Sequence, residues 1–272
     1  MKILLAVGGG PHSEKVLLLG RQLIQCTNET PTVLTVARRK EDLPKSEALL
    51  QHVQAVMADL PCVATQLRFG QPAKEILAEA RQGRYDLLIM GERPQHTLRA
   101  RVFGPTVLEV VEHAACPVLI AKGDIRPIRR ILLCESGAMT PSLHTRFTAH
   151  LADMLQGEEQ IIVLHVMSQF TAWPGLPDDD LQASAEELIE DHTPEGEWLH
   201  SDLQMLTSSQ VQAQAKVRHG PVIEEILAEC AKTPYDLVVI GAHREAGWQR
   251  VLLENIAREL IKRIPQPVLV VR

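Results

Sequence analysis

Apolar residues recur along this chain in short runs that alternate with segments of helical spacing. The run at 3–7 is continuously apolar and ends in three glycines, which is typical of a strand buried on both faces that enters a turn. Helical spacing follows at 13–25, where Ser13 is expected to cap the helix. The same reasoning predicts a loop at 92–103, strands at 32–37, 62–69, 86–90 and 117–121, and helices at 46–60, 73–81 and 104–113.

Strands that alternate with helices in this way predict an α/β fold, an open parallel five-stranded sheet with helices on both faces. The second half of the chain repeats the order. The run at 3–6 returns at 131–134, and Tyr-Asp-Leu-Leu-Ile-Met-Gly at 85–91 returns at 235–241 as Tyr-Asp-Leu-Val-Val-Ile-Gly. A duplicated domain is the simplest account. We predict repeat 1 at 1–122, a linker at 123–127 and repeat 2 at 128–272.

The two halves differ most in a segment from about 168 to 206, because the spacing between matching residues grows from 130 to 150 across it. This segment contains Trp173 and Trp198. One interpretation is a lid that binds a partner protein. The other, which we favour, is a long loop and helix that cover their own sheet.

Composition restricts the class of protein. The chain of 272 residues is 45% hydrophobic, and no apolar run approaches the length of about 20 residues that spans a bilayer. The net charge of −6 argues against nucleic acid or anionic membrane as partners. Five cysteines form no CxxC pair and eleven histidines show no metal-ligand spacing, so we expect a cytoplasmic protein without a metal site.

Ligands of open parallel sheets bind at the carboxyl ends of the strands, where the strand order reverses. In repeat 1 the turn at Gly8 follows the first strand, Gly91 ends the fourth, and Gly104 stands at a helix start. Closely spaced backbone N–H groups and the positive end of a helix dipole favour a phosphate chain. The alternative is purely structural, since Gly104-Pro105 is also a good helix start.

The order and spacing of these motifs, seen twice, resemble the universal stress protein family nearly end to end. The residues that carry the resemblance lie at 2–7, 85–91 and 116–120 in repeat 1, and at 164–166, 235–241 and 266–272 in repeat 2. The resemblance implies a Rossmann-like fold with strand order 3-2-1-4-5 and a stress-response role that depends on binding, not on turnover. The resemblance also implies that single-domain members form dimers joined through the last strand. Residues 116–121 and 267–272 are therefore the expected contact of an internal pseudo-dimer.

The family's ATP-binding members carry Gly-x2-Gly-x9-Gly-Ser/Thr after strand four and an Asp after strand one. Repeat 1 departs from this pattern at Gly8, Pro94 and Pro105. At the Ser/Thr position, Pro105 lacks both the backbone N–H and the side-chain hydroxyl that would bind a phosphate oxygen. Thr106 can supply these groups one position later. The resemblance implies a site for ATP, or for another nucleotide or anion, formed in repeat 1 by Gly8, Val36, Met90, Gly91, Arg93, Gly104 and Thr106.

Repeat 2 departs further from the pattern. Arg244 and Glu254-Asn255 replace the glycines after Gly241, and Ser136 stands in place of the Asp. A glutamate at the beginning of that helix would repel phosphate, so we expect no ATP in repeat 2.

Several functions remain open at this point. The favoured one is a non-enzymatic binding and regulatory protein with degenerate nucleotide sites, an unidentified protein partner and, as an open alternative, a homodimer. A second is an ATP-binding switch that uses repeat 1 only, or a smaller anion held by the basic loop. A third is a hydrolase or adenylating enzyme, suggested faintly by the glycine-rich turn at 8–13.

Overall fold

The computed structural model describes residues 1–60, 62–92, 95–97, 100–102, 104–135, 142–155, 159–167, 183–207, 211–241 and 248–271. They form two compact units, one over 1–127 with 267–269 and the other over 128–266 with 270–272. Within this part of the chain no helix is long and apolar enough to cross a membrane.

The first unit contains four α-helices among its described residues, and a 3-10 turn at Lys40–Asp42 precedes the second of them. The helices are α1 Pro11–Ile24, α2 Leu43–Val56, α3 Pro72–Gly83 and α4 Pro105–His113. The strands are β1 Ile3–Ala6, β2 Thr32–Ala37, β3 Ala64–Phe69, β4 Leu87–Gly91, β5 Gln95–Thr97, β6 Ala100–Val102 and β7 Val118–Ala121.

The main sheet of this unit runs in the order β3-β2-β1-β4-β7, and all four pairings between these neighbours are parallel. Its central strands β1 and β4 are buried along nearly their whole length, which explains their unbroken apolar sequence. The chain leaves β1 toward β2 on one side and later returns to β4 on the other. The carboxyl ends of β1 and β4 therefore mark the place where the strand order reverses.

Among its described residues the second unit follows the same plan with one more helix. Its strands are β8 Arg130–Glu135, β9 Gln160–Met167, β10 Gln212–His219, β11 Leu237–Gly241 and β12 Val268–Val271, in the sheet order β10-β9-β8-β11-β12. Its helices are α5 Leu143–Met154, α6 Ala185–Glu190, α7 Pro194–Thr207, α8 Val222–Lys232 and α9 Trp248–Arg263.

The predicted α/β class with a parallel sheet is confirmed in both units, but two local predictions were wrong. Helix α1 begins at Pro11 with Gly10 as its N-cap, so Ser13 lies inside the first turn and does not cap the helix. Proline fits the first turn of a helix because its missing N–H is not needed there. The predicted loop at 92–103 includes the antiparallel pair β5 and β6.

The long segment of repeat 2 is described from residue 183 onward. Helix α7 packs against β9, β10 and α5, so the described part of the segment covers its own sheet. Trp173 lies outside the described residues, and so does the rest of the stretch in which a partner-binding lid was considered.

In both units a buried glutamate lies on the helix that precedes the fourth strand of the sheet. It contacts a tyrosine just before that strand and basic residues of an outer strand. In the first unit Glu79 accepts hydrogen bonds from the Tyr85 hydroxyl, at 2.9 Å, and from Arg68. In the second unit Glu229 accepts one from the Tyr235 hydroxyl at 2.8 Å. Glu229 also forms ion pairs with Lys216 and Arg218 at 2.7 and 3.1 Å.

Candidate functional site in repeat 1

A cavity of about 810 Å³ lies at the carboxyl ends of β1, β2 and β4, where the strand order reverses. This volume falls within the range of small-molecule sites, about 300–1,000 Å³. Its walls come from the turn after β1, from the first turns of α1, α2 and α4, and from the segment between β2 and α2.

The structure brings most of the sequence-predicted site residues together around this cavity. The predicted residues that line it are Gly8, Val36, Met90, Gly91, Gly104 and Thr106. Arg93 lies outside the described residues, as does Arg99 of the basic loop.

The glycines of the turn after β1 have different reasons to be glycine. Gly9 and Gly10 have φ angles of 78° and 89°, a region that other residues rarely adopt. Gly8 has no such constraint, and a Cβ atom placed on it would meet nothing within 4 Å. The backbone of this turn therefore lies open to the cavity at Gly8.

Gly91 is required by packing. A Cβ atom there would lie 2.9 Å from the backbone oxygen of His12 and 3.2 Å from Cγ2 of Val16, so α1 approaches β4 closely only because residue 91 is glycine. Gly241 of repeat 2 has the same role, since its Cβ would lie 2.7 Å from the ring of His144. Retention of this glycine in both repeats therefore does not by itself indicate a phosphate site.

Helix α4 begins with Gly104 as N-cap and Pro105 in its first turn, and no side chain caps it. The N–H of Val107 donates to the carbonyl oxygen of Gly104 at 3.0 Å. Because Pro105 has no N–H, Thr106 provides the first helical N–H beside the cavity. The positive end of the α4 dipole also lies there and favours an anion.

Three hydroxyl groups that sequence reasoning did not assign to a ligand line the cavity. The side chains of Ser13, Thr35 and Ser46 are buried, at 5%, 2% and 8% exposure, and face this space. Within the described part of the chain none of them forms a hydrogen bond. A hydroxyl that borders a cavity and has no protein partner can both donate and accept, so these groups provide a wall that can bind a polar ligand. Thr35 lies between apolar residues in the middle of β2, which is the one sequence signal for it.

Charged side chains at the β2–α2 segment make one end of the cavity positive. Arg38 and Lys45 both line it, and neither forms an ion pair with any described residue. Asp42 also lines it, but one of its oxygens, Oδ2, accepts a hydrogen bond from the backbone N–H of Arg39 at 3.1 Å. The lining thus combines two cations with a carboxylate that is partly satisfied by its own turn.

His12 also lines the cavity, and the other side chains of the lining are mainly apolar and include Val16, Leu34, Leu49, Ile76 and Met90. A ligand that fits the whole cavity therefore has an apolar part, hydrogen-bonding groups and negative charge.

Comparison with known proteins identifies the family of this chain. The model of the universal stress protein family matches residues 1–122 and again residues 129–272. The chain belongs to the universal stress protein family. No curated protein matches the sequence.

Solved structures agree with this assignment at the level of fold. The chain is similar to a universal stress protein from Archaeoglobus fulgidus DSM 4304, with 17% identity, a TM-score of 0.75, and coverage of 100% of this chain and 98% of that one. A functionally unknown protein from Pseudomonas aeruginosa PAO1 matches with 18% identity and a TM-score of 0.71, covering 99% of this chain and 92% of that one.

A second Pseudomonas aeruginosa protein, a putative universal stress protein from strain UCBPP-PA14, gives the same values as the PAO1 protein. At these identities the similarity establishes the fold.

In repeat 2 of this universal stress protein, buried polar side chains occupy the carboxyl end of β8. Nε2 of His144 lies 2.8 Å from Oε2 of Glu135, and the Ser142 hydroxyl donates to the same oxygen at 3.0 Å. His144 is the second residue of α5, just as His12 is the second residue of α1. Thr145 adds a longer hydrogen bond to Glu135, at 3.4 Å.

Helix α7 adds a second carboxyl group to this cluster. Asp202 is fully buried, and its burial together with the nearby charge of Glu135 raises its pKa to about 7. Where repeat 1 has a cavity lined by unpaired hydroxyls, repeat 2 has side chains that bond to each other.

The reason given for expecting no ATP in repeat 2 was wrong in one respect. Glu254 is not at the beginning of a helix, because α9 already begins at Trp248. In the sequence Gly247 directly precedes Trp248, as Gly104 precedes Pro105 in repeat 1, but repeat 2 has no proline at the first helical residue. Ser136 and Arg244 lie outside the described residues.

Proposed function

We propose that this tandem universal stress protein acts by binding, with a nucleotide-class ligand in repeat 1 and none in repeat 2. The observation that carries the proposal is the cavity of about 810 Å³ in repeat 1, where the hydroxyls of Ser13, Thr35 and Ser46 form no hydrogen bond with a described residue. The filled cluster around Glu135 supports the second half of the proposal.

A nucleotide matches the three kinds of surface in the cavity. The apolar wall near Leu34 and Met90 suits a base, and the buried hydroxyls suit the ribose. The first turn of α4, together with Arg38 and Lys45, suits the phosphates. A protein partner would then bind differently to the occupied and the empty protein.

Binding without turnover is favoured by the state of the acidic group. Among the described lining residues Asp42 is the one carboxylate, and its Oδ2 already accepts the hydrogen bond from the Arg39 N–H, which leaves it less available to a nucleophile. We therefore place the protein with regulators that respond to a ligand, in keeping with the non-enzymatic role expected from the sequence.

Titration calorimetry of the full chain with ATP, ADP and AMP, each with magnesium, tests the proposal. Gly104→Glu places a carboxylate at the start of α4 and is expected to weaken binding at least about tenfold, since it competes with the ligand for the helix dipole. Ala115→Glu adds the same charge beyond the far end of α4, at an exposed residue, and should leave the affinity unchanged.

Thr106→Glu is a second variant with the same expected loss, in case Gly104→Glu does not fold. Absence of binding heat with all three nucleotides would overturn the proposed ligand class. Hydrolysis of ATP that disappears in Gly104→Glu would overturn the binding-only role.

A further inference from the structure

The cavity of repeat 1 continues into an adjoining groove. The residues that line both spaces, and so form a neck between them, are Arg38, Pro72, Pro105 and Thr106. The groove beyond the neck has a volume of about 400 Å³ and is also lined by Gly70, Gln71, Ala73 and Glu109. A mononucleotide in the main cavity would therefore leave open space next to its phosphates.

The neck is positive. Helices α3 and α4 begin at Pro72 and Pro105 on its two sides, and the N–H groups of a first helical turn have no acceptor within the helix. Arg38 projects into the same place and forms no ion pair with a described residue. The Arg38 guanidinium and two helix dipoles together favour a diphosphate at this point.

The groove has a different chemistry. Gln71 and Glu109 are exposed along it, and both offer side-chain oxygens that accept hydrogen bonds. A free terminal phosphate in the groove would lie near the Glu109 carboxylate and be repelled. Hydroxyl groups would instead donate to Glu109, and hydrogen bonds to a charged group are the stronger kind.

We propose that the ligand is a nucleoside diphosphate whose terminal phosphate is esterified to a hydroxylated group such as a sugar. The nucleoside lies in the main cavity, the diphosphate at the neck beside Arg38, and the hydroxylated group in the groove beside Gln71 and Glu109. This inference rests on the proposed function, because it places the nucleoside in the cavity of repeat 1.

Calorimetry of the full chain with ADP and with adenosine diphosphate ribose tests the assignment. Adenosine diphosphate ribose is expected to bind about tenfold more tightly than ADP, which is the contribution of one or two hydrogen bonds to a charged group. Glu109→Ala should remove most of this advantage and leave ADP binding unchanged or slightly tighter. The matched control is Glu112→Ala, on the same helix but outside both spaces.

Arg38→Ala should weaken both ligands about equally, by roughly tenfold, since both carry the diphosphate. Arg39→Ala removes the same charge at the next residue, which lines neither space, and should have no effect.

The outcomes separate this inference from the proposed function. Equal affinity for the two ligands, or tighter binding of ADP, would overturn the inference while the proposed function stands. An advantage of adenosine diphosphate ribose that survives in Glu109→Ala would overturn the assignment to the groove. If neither ligand binds, the inference fails, and the proposed function fails with it only if ATP and AMP do not bind either.

Discussion

The two repeats of this protein kept the same stabilising network and diverged at the site. Tyr85 and Glu79 of repeat 1 correspond to Tyr235 and Glu229 of repeat 2, each shifted by 150 residues, and the hydroxyl-to-carboxylate bond is the same in both. At the carboxyl end of the first strand, by contrast, repeat 1 has a cavity and repeat 2 has the cluster around Glu135. The fold therefore constrains the tyrosine–glutamate bond more strongly than the residues at the carboxyl end of the first strand.

The comparison extends to two buried carboxyl groups of repeat 2. Burial would raise the pKa of Glu229, but hydrogen bonds from Lys216, Tyr235 and Arg218 outweigh it and hold the pKa below its usual value. Asp202 has the opposite balance, since burial and the Glu135 charge raise its pKa. Glu229 therefore stabilises the fold at neutral pH, whereas Asp202 weakens it.

The largest effect is expected from breaking the shared network. Glu229→Ala should lower the free energy of unfolding by about 3 kcal/mol, because it leaves Lys216 and the Tyr235 hydroxyl without their partner. Glu79→Ala should cost less, about 2 kcal/mol, since Glu79 is more exposed than Glu229. Urea unfolding at pH 7 measures both.

The exposed Glu190 on α6 provides the control for these two variants. Glu190→Ala should change stability by less than about 0.5 kcal/mol. Equal losses in all three variants would show that the network is no more important than surface charge.

A stabilising change is expected at Asp202. Its pKa in the folded protein, about 7, exceeds the unfolded value near 3.9, so its cost is absent below about pH 4 and complete above about pH 7. Asp202→Asn should therefore raise the free energy of unfolding by about 3 kcal/mol at pH 8 and change it little at pH 4.

Urea unfolding of wild type and Asp202→Asn across pH 4–8 measures this difference. Asp153→Asn, at an exposed position on α5, should show no such pH dependence. A destabilised Asp202→Asn protein at pH 8 would mean that the ionised carboxylate is needed in the cluster.

The elements of the fold could be predicted from sequence because each buried strand and each amphipathic helix has a local pattern. The site could be predicted at the carboxyl ends of the strands and at the start of α4, as at Gly8, Met90 and Gly104. The hydroxyls of Thr35 and Ser46 could not be assigned, since their value depends on packing between a strand and a helix that are distant from the turns. Asp202 lies in the segment where the repeats differ in length, so comparison of the copies gave no information on it.

An intermediate loss of stability is expected at the packed glycines that the two repeats share. In Gly241→Ala the new methyl group would lie 2.7 Å from the His144 ring, which is buried and held against Glu135, so strain of about 1–3 kcal/mol is expected. Gly91→Ala should cost a similar amount, because backbone of α1 must move. Thermal unfolding of the two variants measures the cost. Unchanged stability of Gly91→Ala would mean that packing does not require glycine at residue 91 and would favour a role in ligand binding.

The smallest effect is expected at Gly8, where repeat 2 has Ser136. Gly8→Ser transfers the residue of repeat 2 into repeat 1. Since a Cβ atom at residue 8 meets nothing within 4 Å, stability should change by less than about 0.5 kcal/mol.

Gly10→Ser in the same turn should cost about 1 kcal/mol, because the φ angle there is 89°. If Gly8→Ser is instead the more destabilising of the two, the fold itself requires glycine after β1. If Gly8→Ser leaves stability unchanged and lowers the affinity for ADP, the fold does not require glycine at residue 8. Its contribution in repeat 1 is then to ligand binding.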